Sequence, residues 1–343
     1  MNKIKKLRKF FKSFMIDGYL IPKNDDYFNE YISKFNDRLK FISNFSGSAG
    51  FALVLKNKNY LFVDGRYTIQ ARNQSGNNFE IVTMPQNFPK DVLKTKKKIK
   101  IGFDPKLHNE KHLSSLFNIK NISLIPININ LIDGIWSKRP KNLVKPFFSI
   151  SKKNAGKNSQ EKITKVKNFL IRNKIDYLLV TAPENVAWIL NIRGYDSSHS
   201  PIPNARLLID TKGNIDLFAQ LKKFTKIKND LSKKVKFYDE GTIEENLKKL
   251  NNINICLDSL SCSIHFKNLL KNRNTIIEEI DPIYFFKSIK NSTEIKNMKK
   301  IHIDDGVALT KFLFWLKRNF KKKKITEISA QKKLEFFRKK NKN

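Results

Sequence analysis

The sequence predicts two α/β domains of one design in tandem, followed by a helical segment. Three observations predict it. Helix-like and strand-like apolar patterns alternate through most of the chain, their order recurs from residue 159, and the pattern turns purely helical after Phe286. With 343 residues, 40% of them hydrophobic and 27 of them Phe, the chain has material for two or three separate cores.

Each element follows from local pattern. Residues 3–14 (KIKKLRKFFKSF) place Ile4, Leu7, Phe10, Phe11 and Phe14 at helical spacing. The run Tyr19-Leu20-Ile21-Pro22 reads as a buried strand ended by proline. A helix is expected near 26–33, then a Gly-rich turn, a hairpin from 51–55 to 60–63, and a helix after Asp64. Further strands fit 81–83, 99–103 and 123–125.

The second domain repeats that order. After a helix at 160–173, DYLLV (176–180) answers GYLIP (18–22), and PENVAWILNIRG (183–194) corresponds to DRLKFISNFSG (37–47). ARLLIDTKGNIDLFA (205–219) matches FALVLKNKNYLFV (51–63) as a second hairpin. The segment 135–159, with Pro140 and Pro146 and little helical periodicity, reads as a linker. The expected domains are therefore 1–134, 160–285 and 286–343. In the last, Ile295, Met298, Ile301, Val307, Phe312 and Leu316 share helical spacing, Thr293 is the expected cap, and a second helix follows KKKKIT. Two helices cannot close a core of that kind alone, so this third domain reads as incomplete.

Composition excludes several classes of function. The net charge of +37 invites a nucleic-acid or membrane-surface reading, yet only 11 of the 68 basic residues are Arg. The lysines are spread over the whole chain, which indicates a uniformly basic surface and no specific nucleic-acid partner. Cys256 and Cys262 are too few for a disulfide framework or a zinc ribbon, so a reducing cytoplasm is expected. Lys12 and Asp17 interrupt any signal-like apolar stretch, and no run approaches the ~18 apolar residues of a membrane span.

Most motif candidates weaken on inspection. The stretch NFSGSAG lacks the preceding strand and the Gly-Lys-Ser/Thr of a phosphate cradle, and Ser48 is preceded at two positions by Ser46 rather than Gly. Gly47 and Gly50 therefore read as a close-packed turn. In HNEKH, His108 and His112 stand four apart, but Asn109 occupies the place where a zincin needs Glu, so a surface helix turn is expected. In HIDDG, His302 and Asp305 share a helix face while Asp304 points away. Glu244-Glu245 and Glu278-Glu279 read as solvated, and His199 lies in a loop without an identifiable partner. Arg66 is different: it follows a strand and the turn former Asp64-Gly65, so its guanidinium could fork onto a carboxylate or carbonyl, or form an ion pair within its own domain.

Five separated stretches in order resemble the Xaa-Pro aminopeptidases (aminopeptidase P), in particular the three-domain cytosolic type. They are EYISKFNDRLKFISNFSGSAGFALVL, FVDGRYTIQA, NLIDGIWSKRP, ENVAWILNIRGYDSSHSPIPNA and IKNSTEIKNMKKIHIDDGVAL. The resemblance implies two creatinase N-terminal-like (RNase H-like) domains and the first helices of a pita-bread catalytic domain. In that family the pita-bread domain holds two divalent metals, usually manganese, whose bound hydroxide attacks the bond before a penultimate proline. It further implies that the metal ligands lie after residue 343, so no catalytic residue, metal ligand or cofactor is expected in this chain. Only Arg66 carries over, as a substrate-binding residue. The expected partners are peptides with penultimate proline in the complete enzyme, and a second copy or a separately encoded catalytic half. The expected chain is an inactive, truncated N-terminal portion with gating and dimerising roles. A creatinase-like interaction module without a peptidase role and a basic polyanion binder are the competing readings.

Overall fold

The computed structural model describes residues 3–93 and 97–340. They form two compact units. One comprises the chain up to Ser149 together with Ser159–Phe286, the other Ile150–Asn158 and the chain from Lys287 on.

The larger unit contains two lobes. Lobe I runs α1 (Lys3–Ser13), β1 (Gly18–Pro22), α2 (Arg38–Ser43), β2 (Phe51–Leu55), β3 (Asn59–Asp64), α3 (Thr68–Ser75), β4 (Glu80–Met84), α4 (Pro89–Val92), β5 (Ile99–Phe103), α5 (Glu110–Phe117) and β6 (Ile122–Pro126). The strands form one sheet in the order β4-β3-β2-β1-β5-β6. β2 pairs antiparallel with β1 and β3, whereas β4, β5 and β6 join in parallel. Strand alternation builds two cores. Tyr19, Ile21, Ala52 and Val54 face Ile4, Leu7 and Phe11 of α1, while Leu20, Phe51 and Leu53 pack with Leu113 and Leu116 of α5. Burying each of the three α1 side chains is worth roughly 1.5–3 kcal/mol.

The helix expected near 26–33 does not form. The Asp25 carboxylate accepts from the backbone N–H groups of Tyr27 and Asn29, at 3.0 and 3.1 Å, and from Asn29 Nδ2 at 3.0 Å. These local bonds give the backbone an alternative to the helical ladder, and the segment is held as turns.

Next along the chain come β7 (Phe148–Ser149) and α6 (Lys152–Ala155). Lobe II follows with α7 (Ser159–Arg172), β8 (Tyr177–Val180), α8 (Pro183–Leu190), β9 (Ile192–Arg193), β10 (Arg206–Asp210), β11 (Ile215–Phe218), β12 (Val235–Tyr238), α9 (Ile243–Lys248), β13 (Asn254–Leu257), α10 (Ile264–Lys271), β14 (Thr275–Glu278) and α11 (Pro282–Ser288). Its sheet order, β12-β11-β10-β8-β13-β14, repeats lobe I strand for strand, with the same parallel and antiparallel partners. The internal repeat read from sequence is thus a repeat of topology. The predicted linker is partly structured: β7 pairs with β9, and Phe147 is fully buried in the lobe II core.

In the smaller unit, α12 (Ser292–Asn319) and α13 (Glu327–Lys340) form a helical hairpin. Thr293 does not cap α12. Asn291 does, accepting from Glu294 N at 3.0 Å while the Glu294 carboxylate accepts from Asn291 N at 2.9 Å. Thr293 already lies in the first turn. The expected apolar positions Ile295, Met298, Ile301 and Val307 are exposed in this unit, where only Ala308 of α12 is buried.

Candidate functional site

The glycine turn before β2 is a packing feature. A Cβ on Gly47 would fall 2.2 Å from the Phe45 ring, and one on Gly50 (φ +146°) would meet the Phe62 carbonyl oxygen at 2.6 Å. Only glycine allows the chain to pass so close to the β3 backbone. The turn also bears Ser48, whose Oγ lies 2.8 Å from Tyr67 Oη, and Tyr67 meets Phe45 edge-on at 5.7 Å. These contacts anchor the residue next to Arg66.

Arg66 stands in a single turn of 3-10 helix directly after β3. The Asp64 carboxylate caps that turn, accepting from Arg66 N at 2.9 Å, and binds the same residue's Nε at 3.1 Å and Nη2 at 2.6 Å. The hydrogen bond from Arg66 holds the Asp64 carboxyl below its ordinary range. The Arg66 side chain is nevertheless 75% exposed, and among the described residues its Nη1 has no hydrogen-bond partner. The ion pair within its own domain, one of the two alternatives read for Arg66 from sequence, is therefore present, and it fixes the orientation of an exposed guanidinium.

The histidine candidates do not converge. His108 is not on a surface helix turn; it precedes α5, which Asn109 caps by accepting from His112 N at 2.8 Å. The His108 ring is buried edge-on to Phe103 at 5.7 Å, with neither nitrogen partnered among the described residues. Burial pushes its pKa down to about 3 and keeps it neutral. His112 is exposed, its ring 6.4 Å away. Asp305 is engaged by Arg338 through two hydrogen bonds of 2.6 and 3.1 Å, and His199 packs edge-on against Tyr31 at 4.8 Å. Among the described residues no group of three or more His, Cys, Asp or Glu could hold a metal ion, so the residues present do not fit a dinuclear centre.

Sequence reading missed the seam between the lobes. The backbone N–H groups of Ile264 and His265 donate to the carbonyls of His108 and Pro105, at 2.8 and 3.1 Å. Lys106 pairs with Glu244 at 2.8 Å, and Lys267 bridges Glu110 and Glu278. Two carboxylates expected to be solvated, Glu244 and Glu278, are therefore committed to lysines. Lys106 and Glu244 lie 138 residues apart, and nothing local in the chain announces such a pair.

Two stretches match the creatinase/prolidase N-terminal domain, residues 3–129 and 138–294. The chain is 33% identical over its full length to a probable Xaa-Pro aminopeptidase P of Paracoccidioides brasiliensis, and spans 59% of that protein. It is 31% identical to Xaa-Pro aminopeptidase 1 of Dictyostelium discoideum, with 98% of this chain and 57% of that one covered. The solved X-prolyl aminopeptidase of Caenorhabditis elegans, described as a cytosolic enzyme with a di-nuclear active site, superimposes with a TM-score of 0.86. That match covers 98% of this chain and 59% of the other at 24% identity, and shows the shared fold. No helix among the described residues is long and apolar enough to cross a membrane. The chain spans somewhat under two thirds of the relatives it matches, and by the two matched stretches that make up most of its length it belongs to the creatinase/prolidase N-terminal domain family.

Proposed function

We propose that this chain is the substrate-positioning portion of an Xaa-Pro aminopeptidase and that Arg66 is its contact with the peptide. One observation carries the reading: a guanidinium largely open to solvent, oriented by Asp64 at the end of a rigid strand, in the motif Asp64-Gly65-Arg66-Tyr67. A fork held in this way loses little further freedom when it takes a carbonyl or carboxylate. Hydrolysis falls outside these 343 residues in this reading, because the residues described supply no metal ligand set. The two divalent ions of the complete enzyme, manganese by family resemblance, belong to a catalytic portion that works with this one. That portion, or a second copy of the chain, is the partner, and the cytoplasm is the compartment.

An amide-resolved titration of the purified chain with Arg-Pro-Pro tests the contact. Shifts should centre on Arg66 and Tyr67 and disappear in Arg66→Ala. Shifts that survive the substitution would overturn it. Manganese-dependent release of the first residue by the purified 343-residue polypeptide would overturn the positioning-only role.

A further inference from the structure

A cleft of about 880 Å³ lies between the two lobes of the larger unit. Lobe I lines it with the segments that leave β1 and β5, and lobe II with those that leave β11 and β12. In each case these are the carboxyl ends of strands, where open α/β sheets place their ligands, and the volume suits a small molecule.

The carboxylates of this cleft are not alike. Glu244 pairs with Lys106 at 2.8 Å, and Asp196 with Lys223 at 2.9 Å. Glu240 accepts from Tyr27 Oη at 3.1 Å, and buried Asp25 is saturated by Tyr27 and Asn29. Asp26 is the exception. Its backbone carbonyl is held by Arg206, a buried guanidinium stacked 4.0 Å from the Tyr27 ring and 4.9 Å from that of Phe266. Its half-buried carboxylate, however, has no hydrogen-bond or ion-pair partner among the described residues. Arg38 and Arg139 act on it only from beyond contact distance, each being engaged by Asp133 at 2.8 and 2.9 Å.

In a chain with 68 cationic and 31 anionic side chains, an unpaired lysine means little, but an unpaired carboxylate in a cleft lined with lysines is informative. That group is suited to a cation brought by a ligand. Around it, exposed Lys34, Lys141 and Lys145 line the same cleft with no carboxylate partner among the described residues. A molecule with an ammonium at one end and carboxylates at the other would satisfy both sets.

We propose that the cleft between the lobes is a second binding site, taking a free amino acid or short acidic peptide with its ammonium on Asp26 and its carboxylates on Lys34, Lys141 and Lys145. It is independent of the role given to Arg66. Calorimetric titration of the full chain with triglutamate at low salt tests it. Binding should weaken about tenfold or more when the probe is N-acetylated or when Asp26→Asn is introduced, and about fivefold in Lys141→Gln/Lys145→Gln. The acetylated probe and the two exposed lysines keep the test open should Asp26→Asn fail to fold. Arg66→Ala should leave the affinity unchanged, which separates this site from the peptide contact. Equal affinity for acetylated triglutamate or for inorganic tripolyphosphate, within about twofold, would reduce the cleft to general anion attraction and overturn the proposal. Absence of binding at about 10 mM triglutamate, or indifference to the lysine substitutions, would do the same.

Discussion

The two lobes share strand order and polarity, but the one-turn helices that follow β3 and β11 hold their cations differently. After β3, lobe I turns its cation outward: Arg66 is 75% exposed. After β11, lobe II turns a cation inward: the Lys223 side chain is only 6% exposed, pairs with Asp196 at 2.9 Å and donates to Asn204 O. The turns after β5 and β13 make a second pair. Asp104 accepts from Lys106 N at 2.9 Å, and Asp258 accepts from Leu260 N at 2.8 Å, so both chains leave their strand through the same kind of Asx turn. Four residues beyond each aspartate stands a buried side chain, His108 in lobe I and Cys262 in lobe II. Burial lowers the first pKa to about 3 and raises the second to about 12, so both stay uncharged. Topology dictates where a side chain sits; what it does there is set by its surroundings.

Four substitutions test how differently the two lobes use their buried and exposed groups. The largest effect belongs to His108. Because its pKa is about 3 folded against 6.5 unperturbed, the neutral ring's contribution is complete above about pH 6.5 and is lost as the pH falls toward 3. The loss approaches about 1.4 kcal/mol per pH unit within that window. His108→Leu should flatten this part of the stability–pH curve, while an unchanged acid slope would show that another group governs it. Next, Lys223→Ala should cost about 3 kcal/mol in urea unfolding, since it strands Asp196 in a site only 11% exposed. Asp196→Asn in the same background should recover part of that loss.

Gly50→Ala should cost about 2 kcal/mol, because a Cβ would meet the Phe62 carbonyl at 2.6 Å from a backbone at φ +146°. A thermal midpoint equal to that of the parent would refute this account of the turn. The smallest effect is Arg66→Ala, expected to change stability by less than about 0.5 kcal/mol, as exposed ion pairs do. A loss above about 2 kcal/mol would place Arg66 with Lys223, as a structural cation.

Much of the fold was legible because its signals are local. The hairpins at 51–63 and 205–219 declared themselves through apolar runs around polar turns, and the repeated order of such runs disclosed the second lobe. The helix expected near 26–33 failed because Asp25 captures its neighbours' N–H groups, a competition that helical periodicity does not register. Thr293 lost the cap to Asn291 for a similar reason: Glu294, three residues on, completes a reciprocal pair with Asn291 alone. For the candidate site, Arg66 could be found because Asp-Gly between strand and helix is a short-range pattern. The Lys106–Glu244 pair and the cleft around Asp26 could not, since their members are brought together by packing of two lobes.

The strands of the first lobe, the hairpin that repeats in the second and the turn that carries Arg66 could be read from the chain alone, because each depends on residues a few positions apart. Which charges pair and which are left over was settled by contacts between residues far apart in the chain. Asp64 orients Arg66, Glu244 and Asp196 pair with lysines, and the Asp26 carboxylate is without a hydrogen-bond or ion-pair partner among the described residues. Pairing of charges depends on distance and on access to water, and both are set when the lobes close on each other.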